Sequence, residues 1–322
     1  MSGAGEDDLI ARYFAPWAGA GGFALKDDAA AIPAPAGQEI VLTVDALVAG
    51  VHFFPHDPPG AIAKKALRVN LSDLAAKGAD PLGFLLALSL PKSWTADWME
   101  AFSQGLREDA LAFACPLLGG DTTRTPGPLT LSITALGAAP HGAMVKRFGA
   151  RPGDAIYVTG TIGDAALGLA CREGLAGLGA ADRAFLEDRY LLPRPRNAAA
   201  RAMRRHARGG MDVSDGFVGD LAKMMRASGC GARVELARVP FSDAARAAIL
   251  LDPSLRDMAL TGGDDYELLA SVAPCEAGAF EEAMRAAGVA ATRVGTAVAN
   301  GLTFIEADGA ARAFARGSFQ HF

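Results

Sequence analysis

Apolar residues recur along the chain with two spacings, and these predict helices and strands in alternation. Helical spacing combined with good helix formers marks residues 8–14, 61–76, 94–113, 218–227 and 280–287. Short apolar runs rich in β-branched residues predict strands at residues 40–44, 82–90, 129–136, 156–159, 232–236 and 302–305. Thr95 is a candidate N-cap for the helix that follows it. Because helices and strands alternate in both halves, the pattern predicts an α/β or α+β protein with two domains.

The stretch 149–153 combines Gly, Pro and Arg between two strand patterns, which is typical of a domain junction. We therefore predict one domain at residues 1–148 and a second at residues 149–322, in keeping with the length of the chain. Just after this junction, residues 160–168 place glycines between a strand and a helix without forming a GxGxxG motif. Two interpretations stay open for them: a phosphate loop, or a tight turn with close helix packing.

The composition allows a sizeable core and argues against several classes of protein. Hydrophobic residues make up 51% of the chain, the net charge is −5, and no basic stripe is present, so we expect no nucleic-acid partner. The apolar stretch 82–90 is too short to span a membrane, and the acidic N-terminus lacks the apolar region of a signal peptide. We therefore expect a cytoplasmic protein. The four cysteines form no CxxC pair, which favours buried free thiols over a zinc or redox site.

Most of the chemical signal lies in aspartates that stand beside glycine or at the ends of predicted strands. They are Asp27, Asp28, Asp45, Asp73, Asp121, Asp212, Asp215, Asp264 and Asp265. One such residue alone is usually a turn residue or a helix cap. Several carboxylates buried together are unfavourable unless they are paired, and few basic residues lie near these in sequence. Mg²⁺ accepts such oxygen ligands and bridges them to substrate phosphates, so the set indicates a magnesium site.

Glycines precede two of these aspartates, in Gly119-Gly120 and Gly262-Gly263, and would let the backbone approach a phosphate closely. The sequence contains no Walker A motif, and it lacks the HRD, DFG and VAIK motifs of protein kinases. The residues therefore predict a magnesium-dependent phosphotransferase of another group.

Eight short segments, taken in order, form a specific pattern. They are residues 27–30 (DDAA), 43–53 (TVDALVAGVHF), 66–81 (ALRVNLSDLAAKGADP), 119–124 (GGDTTR), 157–164 (YVTGTIGD), 212–216 (DVSDG), 262–268 (GGDDYEL) and 321–322 (HF). In this order the chain resembles the thiamine-monophosphate kinase family, a branch of the superfamily that includes aminoimidazole ribonucleotide synthetase. The resemblance implies that ATP and thiamine monophosphate give thiamine diphosphate and ADP. It also implies a homodimer formed through the sheet of the N-terminal domain, followed by a C-terminal α/β domain.

The resemblance assigns roles to particular positions. The implied Mg²⁺ ligands are Asp28, Thr43, Val44 through its main-chain oxygen, Asp45, Asp73, Asp121, Asp212 and Asp215. The implied ATP contacts are Gly120, Asp121, Arg147 and Ser214, and the implied substrate contacts are His52, Asp264 and Phe319. Several ions of Mg²⁺ are expected, and a requirement for K⁺ stays open.

The chain departs from the family pattern at four places. Ala24-Leu25-Lys26 stands where Gly-Ile-Gly is usual, Val44 where Thr is common, and Asp264 where Glu is commoner. Arg316 occupies the position of an aromatic that stacks on the substrate ring, and Phe319 is the nearby residue that would replace it.

The implied reaction needs no general base, because the acceptor phosphate is largely dianionic at neutral pH. We therefore expect no catalytic side chain and no covalent phospho-enzyme, with His52 orienting the substrate. Aminoimidazole ribonucleotide synthetase and a non-catalytic nucleotide or thiamine-phosphate sensor remain as alternatives. Selenophosphate synthetase would need a reactive Cys in its N-terminal segment and is disfavoured because no Cys precedes Asp27. The hydrogenase-maturation relative carries a C-terminal Cys and is disfavoured because this sequence ends Gln320-His321-Phe322.

Overall fold

The computed structural model describes residues 6–27, 29–33, 35–315 and 317–318. The chain forms two compact units, the first made of Met1–Leu74 and Asp80–Gly142, the second of Ala75–Ala79 and Ala143–Phe322. Each unit has its own sheet flanked by helices, so the predicted mixed α/β class is confirmed. The predicted division at residues 148 and 149 stays a prediction. None of the helices in the described part of the chain has the length and apolar character needed to cross a membrane.

The first unit is built on a four-stranded sheet. Its elements are α1 (Glu6–Tyr13), β1 (Gln38–Val48), α2 (Pro59–Ala76), β2 (Asp80–Leu90), α3 (Ala96–Ala112), β3 (Leu117–Arg124) and β4 (Thr130–Pro140). The strand order is β1-β4-β2-β3. Strand β4 pairs antiparallel with both β1 and β2, and β3 pairs parallel with β2. The hydroxyl of Thr95 accepts a hydrogen bond from the amide of Trp98, so the predicted N-cap of α3 is confirmed.

The two faces of this sheet differ in polarity and in burial. One face buries Phe84, Leu88 and Ile133 against the helices, and on this face Thr43 of β1 donates a hydrogen bond to Asp73 of α2. The opposite face leaves apolar side chains in contact with solvent, since Leu42 is 64% and Val44 61% exposed.

Helices α2 and α3 cross at two glycines. A Cβ on Gly105 would lie 2.5 Å from the Cα of Gly60, so the two backbones are in direct contact there. Further along the same pair of helices, Arg68 donates to both carboxylate oxygens of Asp109, at 2.6 and 2.9 Å. The bidentate geometry fixes the helices relative to each other.

The second unit contains a seven-stranded sheet in the order β11-β10-β7-β9-β5-β8-β6. Its strands are β5 (Ala155–Thr159), β6 (Ala207–Val213), β7 (Gly231–Glu235), β8 (Glu267–Val272), β9 (Ala291–Val298), β10 (Leu302–Ile305) and β11 (Ala311–Arg312). Its helices are α4 (Asp164–Arg172), α5 (Ala180–Leu191), α6 (Ala200–His206), α7 (Phe217–Ser228), α8 (Asp243–Leu251), α9 (Leu255–Thr261) and α10 (Ala277–Ala286). Strand β10 occupies the four residues that the sequence predicted.

Two interior strands of this sheet, β5 and β8, are buried along their whole length. Alternate side chains of β5 enter two separate cores. Ile156 and Val158 pack with Phe217 of α7, whereas Tyr157 packs with Phe280 of α10 on the other face. Such burial on both faces explains why β5 reads as a continuous apolar run.

One prediction about an aspartate was wrong in its local structure. Asp45 was expected to end a strand, but β1 continues to Val48 because its pairing with β4 extends over the whole of both strands. Gly119-Gly120-Asp121, for which no element was predicted, lies within β3, where the parallel partner β2 supplies the pairing. In both segments the paired strand determines the local structure.

Candidate functional site

In the first unit, two of the predicted metal ligands are in contact. The hydroxyl of Thr43 donates to Oδ2 of Asp73, which brings together residues 30 positions apart in sequence. Asp45 lies two residues along β1 from Thr43, so its side chain projects from the same face of the strand. All three residues are partly exposed to solvent. Oxygen donors from β1 and α2 therefore meet at one place on the helix-covered face.

The first unit also has a cleft of about 1360 Å³ on the opposite face of its sheet. The cleft lies between that face and the N-terminal segment, which contributes Lys26 and Asp27 to its lining. Gly120 and Asp121 of β3 line the same cleft. A Cβ on Gly120 would lie 1.8 Å from the carbonyl oxygen of Leu86, so only glycine fits this position in the pairing of β2 and β3. Asp28, next to Asp27, lies outside the described residues.

His52 lies in the turn that follows β1 and is partly buried. Its Nδ1 accepts a hydrogen bond from the amide of Val48 at 3.0 Å. In the neutral ring the proton is then on Nε2, which is the donor nitrogen of the imidazole. Val44, on the same strand, points its side chain to the exposed sheet face.

In the second unit, the predicted residues gather at one edge of the sheet. Strand β6 ends at Val213 and β8 begins at Glu267, and these two residues are register partners. Asp212, near the end of β6, is buried, and Ser214 follows in the connection to α7. The amide of Asp264 donates to the carbonyl of Ser214 at 2.8 Å. The structure therefore brings a predicted ATP contact and a predicted substrate contact together.

Asp215 is held by a lysine that the sequence analysis did not identify. The ammonium of Lys223 contacts Oδ2 of Asp215 and lies 2.8 Å from Oδ1 of Asp220. Asp220 is fully buried and accepts from the amides of Asp215 and Gly216. Burial raises the pKa of the Asp220 carboxyl, and the hydrogen bond from Lys223 opposes the shift.

Further buried charges lie behind the same sheet edge. Glu267 is fully buried and accepts hydrogen bonds from the hydroxyl of Thr159 at 2.7 Å, from Arg189 at 3.1 Å and from Nε of Arg196 at 2.7 Å. Asp265, two residues earlier, is 1% exposed, and burial raises its pKa well above the ordinary value for an aspartate. The sequence analysis counted Asp265 only as one of the aspartates of the proposed magnesium set, and it gave Glu267 no role, although both residues lie in the 262–268 motif.

The glycines of residues 160–168 favour the second of their two interpretations, a tight turn with close packing. Gly163, with a φ of 85°, precedes the first residue of α4. A Cβ on Gly168 would lie 2.0 Å from the carbonyl oxygen of Leu186, so α4 and α5 are in backbone contact.

The remaining predicted site residues lie outside the clusters of site residues described above for the two units. Arg147 is exposed in the segment that precedes β5, and Phe319 and Arg316 lie outside the described residues. Within the described ranges, no three His, Cys, Asp or Glu side chains are grouped as they would be around a metal ion. The four cysteines are free thiols, as predicted, but only Cys115 and Cys171 are buried, whereas Cys275 is exposed.

Comparison with known proteins defines the class to which this fold and these sites belong. The family model "AIR synthase related protein, N-terminal domain" matches residues 26–139, and the model of the corresponding C-terminal domain matches residues 151–307. The two matches span most of the chain, which is therefore an AIR synthase-related protein. A structure of the hydrogenase maturation protein HypE in complex with ATP has a TM-score of 0.80 at 20% identity, which shows the shared fold alone.

More similar relatives narrow the assignment. Thiamine-monophosphate kinase of Caulobacter vibrioides is 44% identical over 309 residues, covering 94% of this chain and 85% of the relative. The enzyme of Escherichia coli K12 is 44% identical over 307 residues, covering 94% and 93%. The crystal structure of thiamine-monophosphate kinase from Stenotrophomonas maltophilia has a TM-score of 0.80 at 39% identity, covering 89% of this chain and 91% of that one. The chain belongs to the thiamine-monophosphate kinase family, and the resemblance seen in the motifs is confirmed.

A structure described as AaThiL complexed with AMPPCP and TMP also matches, with a TM-score of 0.79 and 27% identity over 92% of this chain and 91% of that one.

Proposed function

We propose that this protein transfers the γ-phosphoryl group of ATP to the phosphate of thiamine monophosphate, giving thiamine diphosphate and ADP. The observation that carries the proposal is the 44% identity to thiamine-monophosphate kinases over 94% of the chain. The AaThiL complex with AMPPCP and TMP supports the same pair of substrates. The contacts of Thr43 with Asp73 and of Asp264 with Ser214 support it from the geometry, because each joins segments that are distant in sequence.

The donor set fits magnesium. The proposed ligands are Asp28, Thr43, Val44, Asp45, Asp73, Asp121, Asp212 and Asp215, and each offers oxygen alone, Val44 through its main chain. Hard oxygen donors are those that Mg²⁺ prefers. The carboxylates of Asp215 and Asp220 already lie against the ammonium of Lys223, which shows that this pair attracts positive charge and that Lys223 would have to move for a metal ion to bind Asp215. Bound Mg²⁺ would screen the repulsion between the two phosphate groups. A requirement for K⁺ remains a further proposal of the family resemblance.

Residues of the chain itself would bind and orient the two substrates. Gly120 and Asp121 lie next to each other in the lining of the cleft and would contact the nucleotide there. Arg147 and Ser214 are the proposed contacts of ATP in the second unit. His52 would present its Nε2 proton to the phosphate of thiamine monophosphate, because its Nδ1 is occupied by the amide of Val48.

Asp264 and Phe319 are the remaining proposed substrate contacts. No general base is needed, since the acceptor phosphate is already a nucleophile at neutral pH. We therefore propose direct transfer, in which binding and alignment by these residues supply the rate.

An ADP-release assay tests the proposal. Purified protein with ATP and Mg²⁺ is given thiamine monophosphate, thiamine or no acceptor. ADP should form with thiamine monophosphate alone and should cease to form when EDTA removes the metal. ADP formation that is independent of the acceptor, or that persists in EDTA, would refute the proposed substrate or the proposed metal, respectively.

We also propose that the protein is a cytoplasmic homodimer that associates through the exposed face of its first sheet. Ile40, Leu42 and Val44, which alternate along β1 and lie outside the cleft, form an apolar surface there. Apolar surface of this kind commonly marks an interaction site. Light scattering coupled to size exclusion should give a dimer for the wild type and a monomer for Leu42→Glu. A wild-type monomer would refute the proposal.

A further inference from the structure

The segment from Gly262 to Tyr266 holds Asp264 in an unusual backbone conformation. Asp264 has a φ of 72° and Tyr266 a φ of 52°. Both values lie in the left-handed region, which residues other than glycine rarely adopt. Residues in this region persist only where the surrounding structure holds them. The contacts of the segment therefore show what fixes Asp264.

One side of the segment is held by backbone hydrogen bonds. The amide of Asp264 donates to the carbonyl of Ser214, and the amide of Tyr266 donates to the carbonyl of Val213, both at 2.8 Å. These bonds continue the pairing of β6 with β8 beyond the partners Val213 and Glu267.

The other side is held by the side chain of Asp265. Its carboxylate accepts hydrogen bonds from the amide of Gly163 at 2.6 Å and from the amide of Ala165 at 3.3 Å. These amides belong to the start of α4, where the first N–H groups of a helix have no partner within the helix and favour a negative charge. The segment is thus tied both to the end of β6 and to the helix that follows β5.

The side chains alternate along this segment. Asp265 and Glu267 are buried, whereas Asp264 and Tyr266 are partly exposed. A buried carboxylate contributes little net stability compared with an apolar residue of similar size. Asp265 is directly bonded to Asp264 through one peptide, so a movement of Asp265 turns that peptide and displaces Asp264.

We propose that Asp265 is a positioning residue for the phosphoryl acceptor: it fixes the backbone so that Asp264 is held at the place where thiamine monophosphate binds. Asp265 is itself buried, so it acts through its neighbour. This inference rests on the proposed function, in which Asp264 contacts the substrate.

The test is Asp265→Asn, a change that keeps the shape of the side chain but removes its charge and one acceptor oxygen. Asp154→Asn is the matched control. Asp154 is likewise fully buried and accepts from a backbone amide, that of Arg151 at 2.9 Å, as well as from Ser271 at 2.9 Å. It precedes β5, at the opposite end of the sheet from Asp265.

Asp265→Asn should raise the KM for thiamine monophosphate by about tenfold and change kcat by less than about threefold. Hydrogen exchange at the amides of Asp264 and Tyr266 should become faster in this variant. Asp154→Asn should change neither the KM nor the exchange at these two amides. If Asp265→Asn does not fold, Asp265→Glu, which keeps the charge but displaces the carboxylate by one methylene, should show the same rise in KM.

Equal KM values for the folded Asp265 variant and Asp154→Asn, or unchanged exchange at Asp264 and Tyr266, would overturn the inference. Failure of the proposed function is a separate result. A wild-type protein that releases no ADP with thiamine monophosphate would refute the function, and with it the substrate role of Asp264, whatever the exchange measurements show.

Discussion

Replacing Glu267 by glutamine would remove one charge from the centre of the buried ion network in the second unit. The carboxylate of Glu267 accepts hydrogen bonds from Thr159, Arg189 and Arg196, and the residue is fully buried. Glutamine keeps the size of the side chain, but its NH₂ group is a donor and would face guanidinium donors. Arg189, which is 4% exposed, would keep Asp164 as an anionic partner at 3.7 Å.

The expected loss is large because the pair is buried. Removing one partner of a buried ion pair costs about 3–5 kcal/mol, since the other charge stays in a medium of low polarity. A typical domain has a total stability of about 5–15 kcal/mol. We therefore expect Glu267→Gln to lower the free energy of unfolding of the second unit by about 3–5 kcal/mol.

The assay has to report on the second unit. All three tryptophans, Trp17, Trp94 and Trp98, belong to the first unit, so tryptophan fluorescence does not follow the second directly. Hydrogen exchange of a peptide that covers β8 follows the second unit directly, because β8 is buried and paired on both sides and its amides exchange mainly through large-scale unfolding. The exchange would be measured across a urea series and converted into a free energy.

The matched control is Asp188→Asn, the same kind of carboxylate-to-amide change in an exposed ion pair. Asp188 lies 3.0 Å from Arg194, and the two side chains are 44% and 51% exposed. Such pairs contribute about 0–1 kcal/mol. A loss of less than about 1 kcal/mol for Glu267→Gln, or one equal to that of Asp188→Asn, would refute the reasoning.

Three further predictions follow from single residues. Asp73→Ala should abolish ADP release while circular dichroism stays that of a folded protein, because it removes a proposed metal ligand; near wild-type turnover would contradict that role. Gly120→Ala should lower the stability of the first unit by about 1–3 kcal/mol in thermal unfolding, since its Cβ would lie 1.8 Å from the carbonyl oxygen of Leu86; an unchanged Tm would be inconsistent with this packing. Iodoacetamide at mildly alkaline pH should label the exposed Cys275 and spare Cys115, because burial raises the pKa of the Cys115 thiol to about 12; equal labelling by peptide mass spectrometry would show that Cys115 is accessible.

Elements with a clear local signal were predictable from the sequence. Strand β10 is bounded by the residues expected, and the cap at Thr95 starts α3. Helices α5, α6, α8 and α9 were not predicted, and three of them, α6, α8 and α9, have only seven to nine residues in which a periodic pattern could show. Helices α5, α8 and α9 pack against α4 and one another, around Leu167, Leu186 and Ala245.

The residue types of the candidate site were predictable from the sequence, but the residues that hold them in place were not. The family pattern identified Asp73 and Asp215 by position. It gave no sign of Lys223, which in the sequence has the appearance of an ordinary surface charge on a helix. The buried positions of Asp265 and Glu267 were likewise not predicted, because a buried carboxylate and an exposed one cannot be distinguished until the partner strands are known. The burial and the partners of these residues depend on long-range contacts, which the local periodicity of the sequence does not encode.

The contact between α2 and α3 at two glycines couples the tilt of α2 to the position of a proposed metal ligand at its other end. The backbones meet at Gly60, and Asp73 lies on the same helix about 20 Å away, at 1.5 Å per residue. A methyl group added at Gly105 would push α2 away at one end, and a stiff helix converts such a push into a tilt that displaces its far end. The position of the Asp73 carboxylate against Thr43 is thus set partly by two glycines that have no chemistry of their own. Substitutions at Gly60 or Gly105 would therefore change the geometry of the site by tilting α2, without contacting any site residue.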